Sequence, residues 1–574
     1  MRGQPTRLVA IVVLLLGAVL LSPWFGRSIV AASQRHPDQG KAVFFPVVYM
    51  RPVASTVDLR IVHMGLNQSV QNSANSVTLV AGKPALLRVY AQTNATAPAP
   101  VAEVTVRATR GGQNLGSVTV GPQAVATAPT ADDLSSTFNL ELPREWLLGD
   151  VTLTATIDAV NTVVEYDETN NARTEAYSFR SVLPLALTIV PIYYTDSRSG
   201  RLYTAEAHDP ISRWLLSAFP LSQVDVRFHT PFHFTGDLRQ GTEWQRLLQE
   251  LTTLWAAEVG FGSGHVFYGL IPVGDAAGAS WFEGGVSGLG WIGQRVAIGL
   301  DVGEATGESA GHELGHNFGR RHAPCGNPTS VDPAYPYPNA TIGVYGVDTV
   351  DDTLLAPNAN FDMMSYCGPE WVSDYTYEGL LQDQLARGGR EAAKGSGLLI
   401  RAAVDGETVT ALPVYALDRA APAMFPTSDY TVELLDGSGA ILSTHPAALL
   451  EADETGVSAR MLVAQVSASI DGVSVVRFRR GDAVVAERVL GGGVDRDAVR
   501  GGVEWVDEAA ALSWSAGSTP ALVRFSADGA TWRTIAADVV GGKLTVAGDM
   551  LPAQAGWFQI VQADGGETMT LKLP

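Results

Sequence analysis

The 574-residue chain is poor in cysteine and in basic side chains. It contains two cysteines and 39 lysines and arginines against 59 acidic residues, which gives a formal net charge of −20. Phosphate recognition draws on clustered lysine and arginine, so this charge balance argues against nucleic-acid binding. Long apolar runs are scarce as well, and beyond the N-terminal segment none approaches the roughly twenty residues of a membrane-spanning helix. A hydrophobic content of 46% still allows real cores, and the length predicts three to five domains.

The N-terminal segment has the layout of an export signal. Arg2 and Arg7 precede an apolar run over residues 8–21, which Ser22 and Pro23 interrupt before the small residues of 31–33. This order is typical of a secretory signal peptide, and we expect cleavage near residue 31. The alternative is an uncleaved anchor extended by residues 23–25, which would be the chain's contact with a membrane. Residues 1–33 therefore predict a secreted or extracellular protein.

A linker over 34–60 is expected to lead into a β-rich module over 61–180. Alternating apolar segments such as 102–108 and 151–157 are separated by Gly, Pro and Asn turns, which predicts a β-sandwich. Its closing stretch IDAVNTVVEYDETNN, residues 157–171, resembles the immunoglobulin-like CARDB modules of bacterial surface proteins.

Three acidic residues in that stretch raise the question of a calcium site. Asp158, Asp167 and Glu168 could in principle hold calcium, but too few fixed oxygens are evident. A solvated turn is the favoured interpretation, and calcium remains without support.

Strands and helices alternate in the predicted central domain, 184–395. Residues 185–194 and 265–272 read as buried strands, and 210–218 and 243–259 read as helices. The longer helix has an apolar stripe formed by leucines at 247, 248, 251 and 254.

Past the segment KGSG at 394–397 the chain returns to strands and turns. Two β-modules are expected, over 398–490 and 494–574. In the second, residues 521–532 read as a strand, an Asp-Gly turn and a strand, which resembles fibronectin-like bacterial sandwiches.

One motif carries the chemistry: His312, Glu313, His316, Gly319 and His322 stand at the spacing HExxHxxGxxH. On a helix, residues i and i+4 share a face, so the first two histidines can reach one metal ion with the glutamate beside them. The glycine can turn left-handed, ending the helix and bringing the third histidine to the same ion. This spacing is the zinc-binding signature of the metzincin metalloproteases, and the chain resembles that family.

The resemblance implies a site with one catalytic Zn²⁺ held by the three histidines and with Glu313 as general base and acid. The segment NFDMMSYC, residues 360–367, resembles the metzincin Met-turn, in which a methionine lies beneath the metal site. Met364 is the expected methionine, with Met363 as its rival. The spacing from Met364 to Tyr366 is similar to that in astacins and serralysins, which implies that Tyr366 stabilises the transition state. The alternative is that Tyr366 is an ordinary tyrosine at a loop corner, without a catalytic role.

The family resemblance also bears on the two cysteines. Cys325 and Cys367 each stand three residues beyond a motif anchor, so if the anchors converge the thiols should form a disulfide. The alternative is two buried free thiols. A cysteine-switch propeptide is not expected, because both cysteines follow the metal motif. Ala323, after the third histidine, matches none of the reprolysin, astacin, serralysin or matrixin patterns, so the subfamily stays open.

The expected architecture is thus multidomain: an α+β metzincin-like catalytic domain flanked by immunoglobulin-like all-β sandwiches. The expected function is a secreted or surface zinc-dependent endopeptidase acting on protein or peptide substrates, which residues 288–293 would hold along an edge strand. One alternative is an adhesin or matrix-binding surface protein whose protease domain is silent or secondary. Another is a zinc hydrolase that acts on a non-peptide bond. The sequence does not fix the oligomeric state.

Overall fold

The structure is a computed structural model that describes residues 29–34, 43–48, 55–273, 286–387, 389, 395–418, 428–491, 501–515 and 519–574. Residues 1–28, which make up most of the expected export segment, lie outside the described residues. The next residues form strand β1 (Ile29–Gln34), which pairs antiparallel with β2 (Val43–Val48) inside the expected linker. Within the described part of the chain, none of the helices combines the length and the apolar content that a bilayer crossing requires.

The N-terminal module is a sandwich of two sheets. Its strands are β3 (Leu59–Asn67), β4 (Val70–Gln71), β5 (Leu79–Val80), β6 (Leu86–Thr93), β7 (Val101–Arg110), β8 (Gln113–Ala124), β9 (Phe138–Glu141), β10 (Gly149–Ile157) and β11 (Ala172–Arg180). One sheet has the order β5-β11-β10-β7-β8, the other β3-β6-β9, and β4 lies outside both, in a small sheet with two strands of the central region. The predicted alternation is visible in β7, where every second side chain from residue 102 to 108 is buried between the sheets.

In its described residues, 185–273 and 286–387, the central region combines a main sheet with four α-helices. Its elements are β12 (Leu185–Thr195), β13 (Leu202–Thr204), α1 (Ser212–Ala218), β14 (Val224–Phe228), β15 (Phe232–Phe234), α2 (Gly241–Glu258), β16 (Val266–Pro272), β17 (Gly288–Gly290), β18 (Val296–Asp301), α3 (Thr306–Asn317), β19 (Tyr345–Asp348), β20 (Thr353–Leu355), β21 (Phe361–Asp362), β22 (Glu370–Trp371) and α4 (Asp374–Arg387). The main sheet runs β13-β12-β16-β18-β17, and β17 is an antiparallel strand at its edge. Helix α1 begins two residues later than predicted because the Asp209 carboxylate accepts hydrogen bonds from the amides of Ile211 and Ser212.

Two further β-modules complete the chain. The first C-terminal module contains β23 (Gly397–Asp405), β24 (Thr408–Ala411), β25 (Tyr415–Leu417), β26 (Tyr430–Leu435), β27 (Ile441–Pro446), β28 (Ala448–Glu454), β29 (Val457–Val466), β30 (Val475–Arg480) and β31 (Ala483–Val489). The second contains β32 (Gly501–Val506), β33 (Ala509–Trp514), β34 (Ala521–Ser526), β35 (Arg533–Val539), β36 (Lys543–Ala547), β37 (Trp557–Gln562) and β38 (Thr568–Lys572). Each module packs a sheet containing its first strands against a second antiparallel sheet. The protein is therefore a multidomain chain built mostly of β-sandwiches.

Helix α2 is covered on two sides, which its sequence pattern did not predict. The predicted leucine stripe faces the sheet, and Leu251 lies against Gly269 of β16. The opposite face meets the C-terminal modules: Val457 lies over Gly241, and Thr253 accepts a hydrogen bond from Arg401. A helix that is buried all round is sandwiched between two layers. One hydrophobic core therefore joins the central region to both C-terminal modules.

The N-terminal module is also joined closely to the central region. Strand β4 pairs with β19, and Lys83 donates to the carbonyls of Leu216 and Ser217 at the end of α1. Burial lowers the pKa of Lys83 to about 7. The described modules thus share interfaces instead of standing apart as spacers.

The buried ion pair between Arg401 and Asp538 should stabilise the joint of the two C-terminal modules with α2. The Arg401 guanidinium is fully buried and lies 3.0 Å from Asp538 Oδ1, to which Tyr415 also donates at 2.8 Å. Removing one partner of a buried pair leaves an uncompensated charge, so Arg401→Met should destabilise the full chain by about 3 kcal/mol. Thermal unfolding followed by circular dichroism measures the change. Arg480→Met is the control, because Arg480 is half exposed and its partner Glu407 is fully solvated. Equal midpoints for the two variants would contradict the prediction.

Candidate metal centre

Helix α3 supplies the first two histidines and ends in a turn that positions the third. Gly319 has φ +80°, its amide donates to the carbonyl of His316, and the Arg320 amide donates to that of Gly315. This pair of bonds is a Schellman motif, whose left-handed residue favours glycine. The turn ends the helix where the sequence predicted and sends the chain back towards His322.

All three imidazoles are held by main-chain carbonyls. The Nδ1 atoms of His312, His316 and His322 lie 2.6, 2.8 and 2.6 Å from the carbonyl oxygens of residues 363, 320 and 329. A carbonyl oxygen only accepts, so each Nδ1 must carry its proton. In the neutral ring the Nε2 lone pair is then free to bind a cation.

The three Nε2 atoms converge on one point. Ring centroids of His312, His316 and His322 are 4.7 to 5.2 Å apart, and the Nε2 atoms of the last two are separated by 3.3 Å. All three side chains are almost completely buried. The structure therefore brings together the three residues that the sequence proposed as metal ligands.

A fourth group reaches the same point from the first C-terminal module. Glu454 is the last residue of β28, and its Oε1 lies 3.5, 3.0 and 3.2 Å from the Nε2 atoms of His312, His316 and His322. Its Oε2 accepts a hydrogen bond from the Tyr366 hydroxyl. Sequence reasoning missed Glu454, and nothing near it marks it, since an acidic residue at a hairpin turn is usually solvated.

The chemistry of these four groups fits a bound metal ion. The three Nε2 atoms and a carboxylate oxygen of Glu454 all lie within 4.8 Å of one another. Each of these atoms carries a lone pair, so a positive charge between them is favourable. The Nε2 atom of His312 has no hydrogen-bond partner among the described residues. In the part of the chain that the structure describes, these four side chains are the one group arranged to hold a metal ion. The buried group of three histidines and Glu454 can therefore hold a metal ion.

The electrostatics of the cluster agree with this fit. Burial opposes the charged form of Glu454, but the neighbouring His312 and the other two histidines hold its pKa well below the usual range. Burial lowers the pKa of His316, whereas in His312 the opposing effect of Glu454 raises the pKa to about 10. The ionised Glu454 carboxylate thus favours one positive charge beside it, whether a proton on His312 or a metal ion, whereas burial disfavours a further proton on His316.

Glu313 lies beside the cluster, in space provided by two glycines of β17. Its carboxylate is buried, and its Oε2 has no partner among the described residues. A methyl group on Gly288 would lie 2.6 Å from Oε1 of Glu313, and one on Gly290 would meet the main chain of α3. Burial and then the charge of Glu454 raise the pKa of Glu313 well above its usual value. Strand β17 is shorter than the predicted 288–293 because Gly293 turns with φ +76°.

The segment expected to form the Met-turn lies directly beneath α3. Met364 sits against the helix at Gly315, where a methyl group would overlap its sulfur. Met363, the rival, contributes its carbonyl to His312, and its methyl group lies farther from Gly315 than the Met364 sulfur does. The buried Asp362 fixes this turn by accepting from the amides of Met364 and Ser373.

The disulfide and Tyr366 close the far side of the centre. Cys325 and Cys367 are bonded, with 5.8 Å between their Cα atoms, so the predicted disulfide is confirmed. The Tyr366 hydroxyl lies 3.3 Å from Nε2 of His322, and its amide donates to the Cys325 carbonyl. Tyr366 is thus at the cluster, although its hydroxyl is engaged with Glu454.

The acidic residues considered for calcium lie in turns, as the favoured interpretation predicted. The Asp158 carboxylate accepts from the amides of Thr162 and Val163, and that of Asp167 accepts from the Thr169 amide and hydroxyl. These oxygens satisfy backbone donors in their own loop.

Replacing Gly319 should weaken both folding and metal binding. Gly319→Ala places a Cβ at φ +80° and should destabilise the chain by about 1 to 2 kcal/mol. The shifted Arg320 carbonyl should also lower the affinity of the cluster for a metal ion, probed with added Zn²⁺, roughly tenfold. Competition with a fluorescent chelator measures the affinity, and thermal unfolding measures the stability. Gly262→Ala is the matched control, because Gly262 has φ +85° and open space far from the cluster. If Gly319→Ala kept full zinc affinity, as the control should, the turn at Gly319 would not be needed to position the histidines.

Comparison with known proteins identifies one module. The CARDB family model matches residues 61–175, a fifth of the chain. The CARDB domain of a Pyrococcus furiosus protein, solved in complex with di-metal ions, is 22% identical over 22% of this chain and 94% of that one, with a TM-score of 0.14. A Parabacteroides merdae β-glucuronidase is 8% identical over 93% of this chain and 78% of that one, with a TM-score of 0.15. No curated protein matches the sequence. Residues 61–175 form a CARDB domain.

Proposed function

We propose that the chain is a zinc-dependent endopeptidase of metzincin type, exported and acting on protein or peptide substrates. The observation that carries the proposal is the convergence of three Nε2 lone pairs, each fixed by an Nδ1 hydrogen bond to a main-chain carbonyl. Such bonds on the far side of each ring are characteristic of metal-ligating histidines.

Zinc is the metal that suits this set of ligands. Imidazole nitrogens with or without one carboxylate, in a tetrahedral arrangement, favour Zn²⁺ over the harder Mg²⁺ and Ca²⁺, which prefer all-oxygen sites. When bound, zinc supplies a Lewis acid that polarises a carbonyl group and makes water more acidic.

Glu313 is the proposed general base and acid. Its unpartnered carboxylate oxygen lies beside the histidines, in a buried pocket that Gly288 and Gly290 leave open. From there Glu313 would take the proton of the attacking water and return it to the leaving amine. Tyr366, whose hydroxyl lies at His322, would donate to the oxygen on which negative charge develops, once it is free of Glu454.

Strand β17 is the proposed support for the substrate. It is the edge strand of the main sheet and lies next to Glu313. An extended peptide could pair with it backbone to backbone and pass over the metal ligands. The Cys325–Cys367 disulfide suits an oxidising compartment, which agrees with the expected export segment.

An adhesin or matrix-binding surface protein with a silent protease domain is the second candidate. The specific observation in its favour is Glu454, because it fills the position that a reacting water would need. Zinc-dependent cleavage by the purified chain separates the two candidates. If the purified chain hydrolysed non-peptide esters or amides but left casein uncleaved, a zinc hydrolase of another substrate class would be favoured instead.

Glu313→Gln should abolish cleavage without loss of metal. The isosteric amide cannot accept the proton, so kcat/KM for unfolded casein should fall by at least about a hundredfold, while zinc content measured by elemental analysis stays near one ion per chain. Because Glu454 occupies the centre, the variant is made both in the native chain and in a chain carrying Glu454→Gln.

Glu308→Gln is the control for that experiment. Glu308 lies on the same helix five residues earlier, and its side chain is exposed. It should leave both zinc content and cleavage unchanged. Cleavage that survives Glu313→Gln in either chain would rule out the proposed role of Glu313, and a chain that binds no zinc would rule out the whole assignment.

A further inference from the structure

The hairpin that joins β28 to β29 enters the metal centre with its tip, residues 453–456. The tip comes from the first C-terminal module, more than 130 residues beyond His322, yet the Glu454 side chain is only 5% exposed. Long acidic side chains at hairpin turns normally remain in water. Burial of this carboxylate among three imidazoles is therefore a specific arrangement.

The tip occupies two catalytic positions at once. Oxygen Oε1 of Glu454 lies 3.0 to 3.5 Å from all three ligand nitrogens, where a fourth metal ligand would be. Oxygen Oε2 engages the Tyr366 hydroxyl, which also accepts a hydrogen bond from the Thr455 amide at 3.2 Å. Catalytic zinc sites keep an open position for water, whereas sites with four protein ligands are structural.

The hairpin is hydrogen-bonded to residues on two opposite sides of the metal centre. On the side of the sheet, the Ile292 amide donates to the Glu451 carbonyl at 2.8 Å, just beyond edge strand β17. On the opposite side, the Thr329 hydroxyl donates to the Asp453 carbonyl, and Ser330 donates to the Asp453 carboxylate. Strand β28 thus lies along the surface that an extended substrate would use.

We propose that the tip formed by residues 453–456 inhibits the enzyme in cis, with Glu454 as a fourth metal ligand and β28 in the place of the substrate. This inference rests on the proposed peptidase function. The chain then folds as a latent enzyme, and catalysis requires that the tip leave the cleft.

The coordination of the metal tests the proposal without any measurement of activity. The full chain is loaded with Co²⁺, whose visible spectrum reports the ligand set, and is compared with Glu454→Gln and Glu407→Gln. Glu407 is the matched control because it is a glutamate of the same module that is 94% exposed. We expect Glu454→Gln to change the spectrum and to release metal to a chelator about tenfold faster, and Glu407→Gln to do neither.

A second measurement uses the native chain and does not depend on the folding of a variant. Acetohydroxamate needs vacant coordination positions, so millimolar concentrations should leave the Co²⁺ spectrum of the native chain unchanged. The same probe should shift the spectrum of Glu454→Gln. Ready binding of acetohydroxamate to the native chain, or identical spectra for all three proteins, would overturn the proposal.

Cleavage of unfolded casein by the zinc-loaded proteins distinguishes this inference from the proposed function. We expect Glu454→Gln to cleave about tenfold faster than the native chain and Glu407→Gln to equal it. A changed spectrum without cleavage by any of the proteins would show that Glu454 closes a structural site, and the peptidase function would fail. Equal cleavage by native chain and Glu454→Gln would refute inhibition while leaving the peptidase function intact.

Discussion

Three hydrogen bonds from imidazole N–H groups to main-chain carbonyls define the geometry of the metal centre. Each bond fixes the proton on Nδ1 and so directs an Nε2 lone pair inward. The carbonyls belong to Arg320 in the turn after α3, to Thr329 in the loop after His322 and to Met363 in the segment beneath the helix. All three depend on local backbone structure: the left-handed Gly319, the disulfide beside Tyr366 and the Asp362 carboxylate that holds Met364. The local backbone therefore directs the three histidine side chains towards one point.

Burial makes this arrangement costly without a cation and favourable with one. The rings and Glu454 have lost their contact with water, so their electrostatic interactions are strong. The same burial surrounds Glu313, which has an oxygen without a partner among the described residues. Stable folds seldom keep an unpartnered carboxylate oxygen next to three inward-facing lone pairs. Such groups cluster where a protein binds a metal ion or carries out chemistry, which is why the proposed function starts from this cluster.

The parts of the site that the sequence predicted are those encoded by local spacing. The i, i+4 relation placed His312 and His316 on one helix face, Gly319 predicted the turn, and the positions of Cys325 and Cys367 predicted their disulfide. The alternation in β7 likewise predicted the N-terminal sandwich. Glu454 and the second buried face of α2 were not predictable, because both depend on how separate modules pack. A polar face with Thr253 and Glu258 looks solvated in sequence, and only the neighbouring module shows why it is buried.

The packing of the modules also limits how the centre can open. The first C-terminal module that carries Glu454 shares a core with α2, and Arg401 ties it to both Thr253 and Asp538. Moving the whole module would expose this apolar surface and break a buried ion pair, at a large cost in free energy. Moving the tip alone breaks the contacts of Glu454 with the cluster and a few hydrogen bonds of Asp453 and Thr455, each worth about 1 kcal/mol. Thr455 and Gly456 form the turn, and Gly456 has φ +95°, so the connection is short and the tip has little apolar surface of its own. In the proposed latent enzyme, the hairpin tip is therefore the part that moves, with the module remaining on α2.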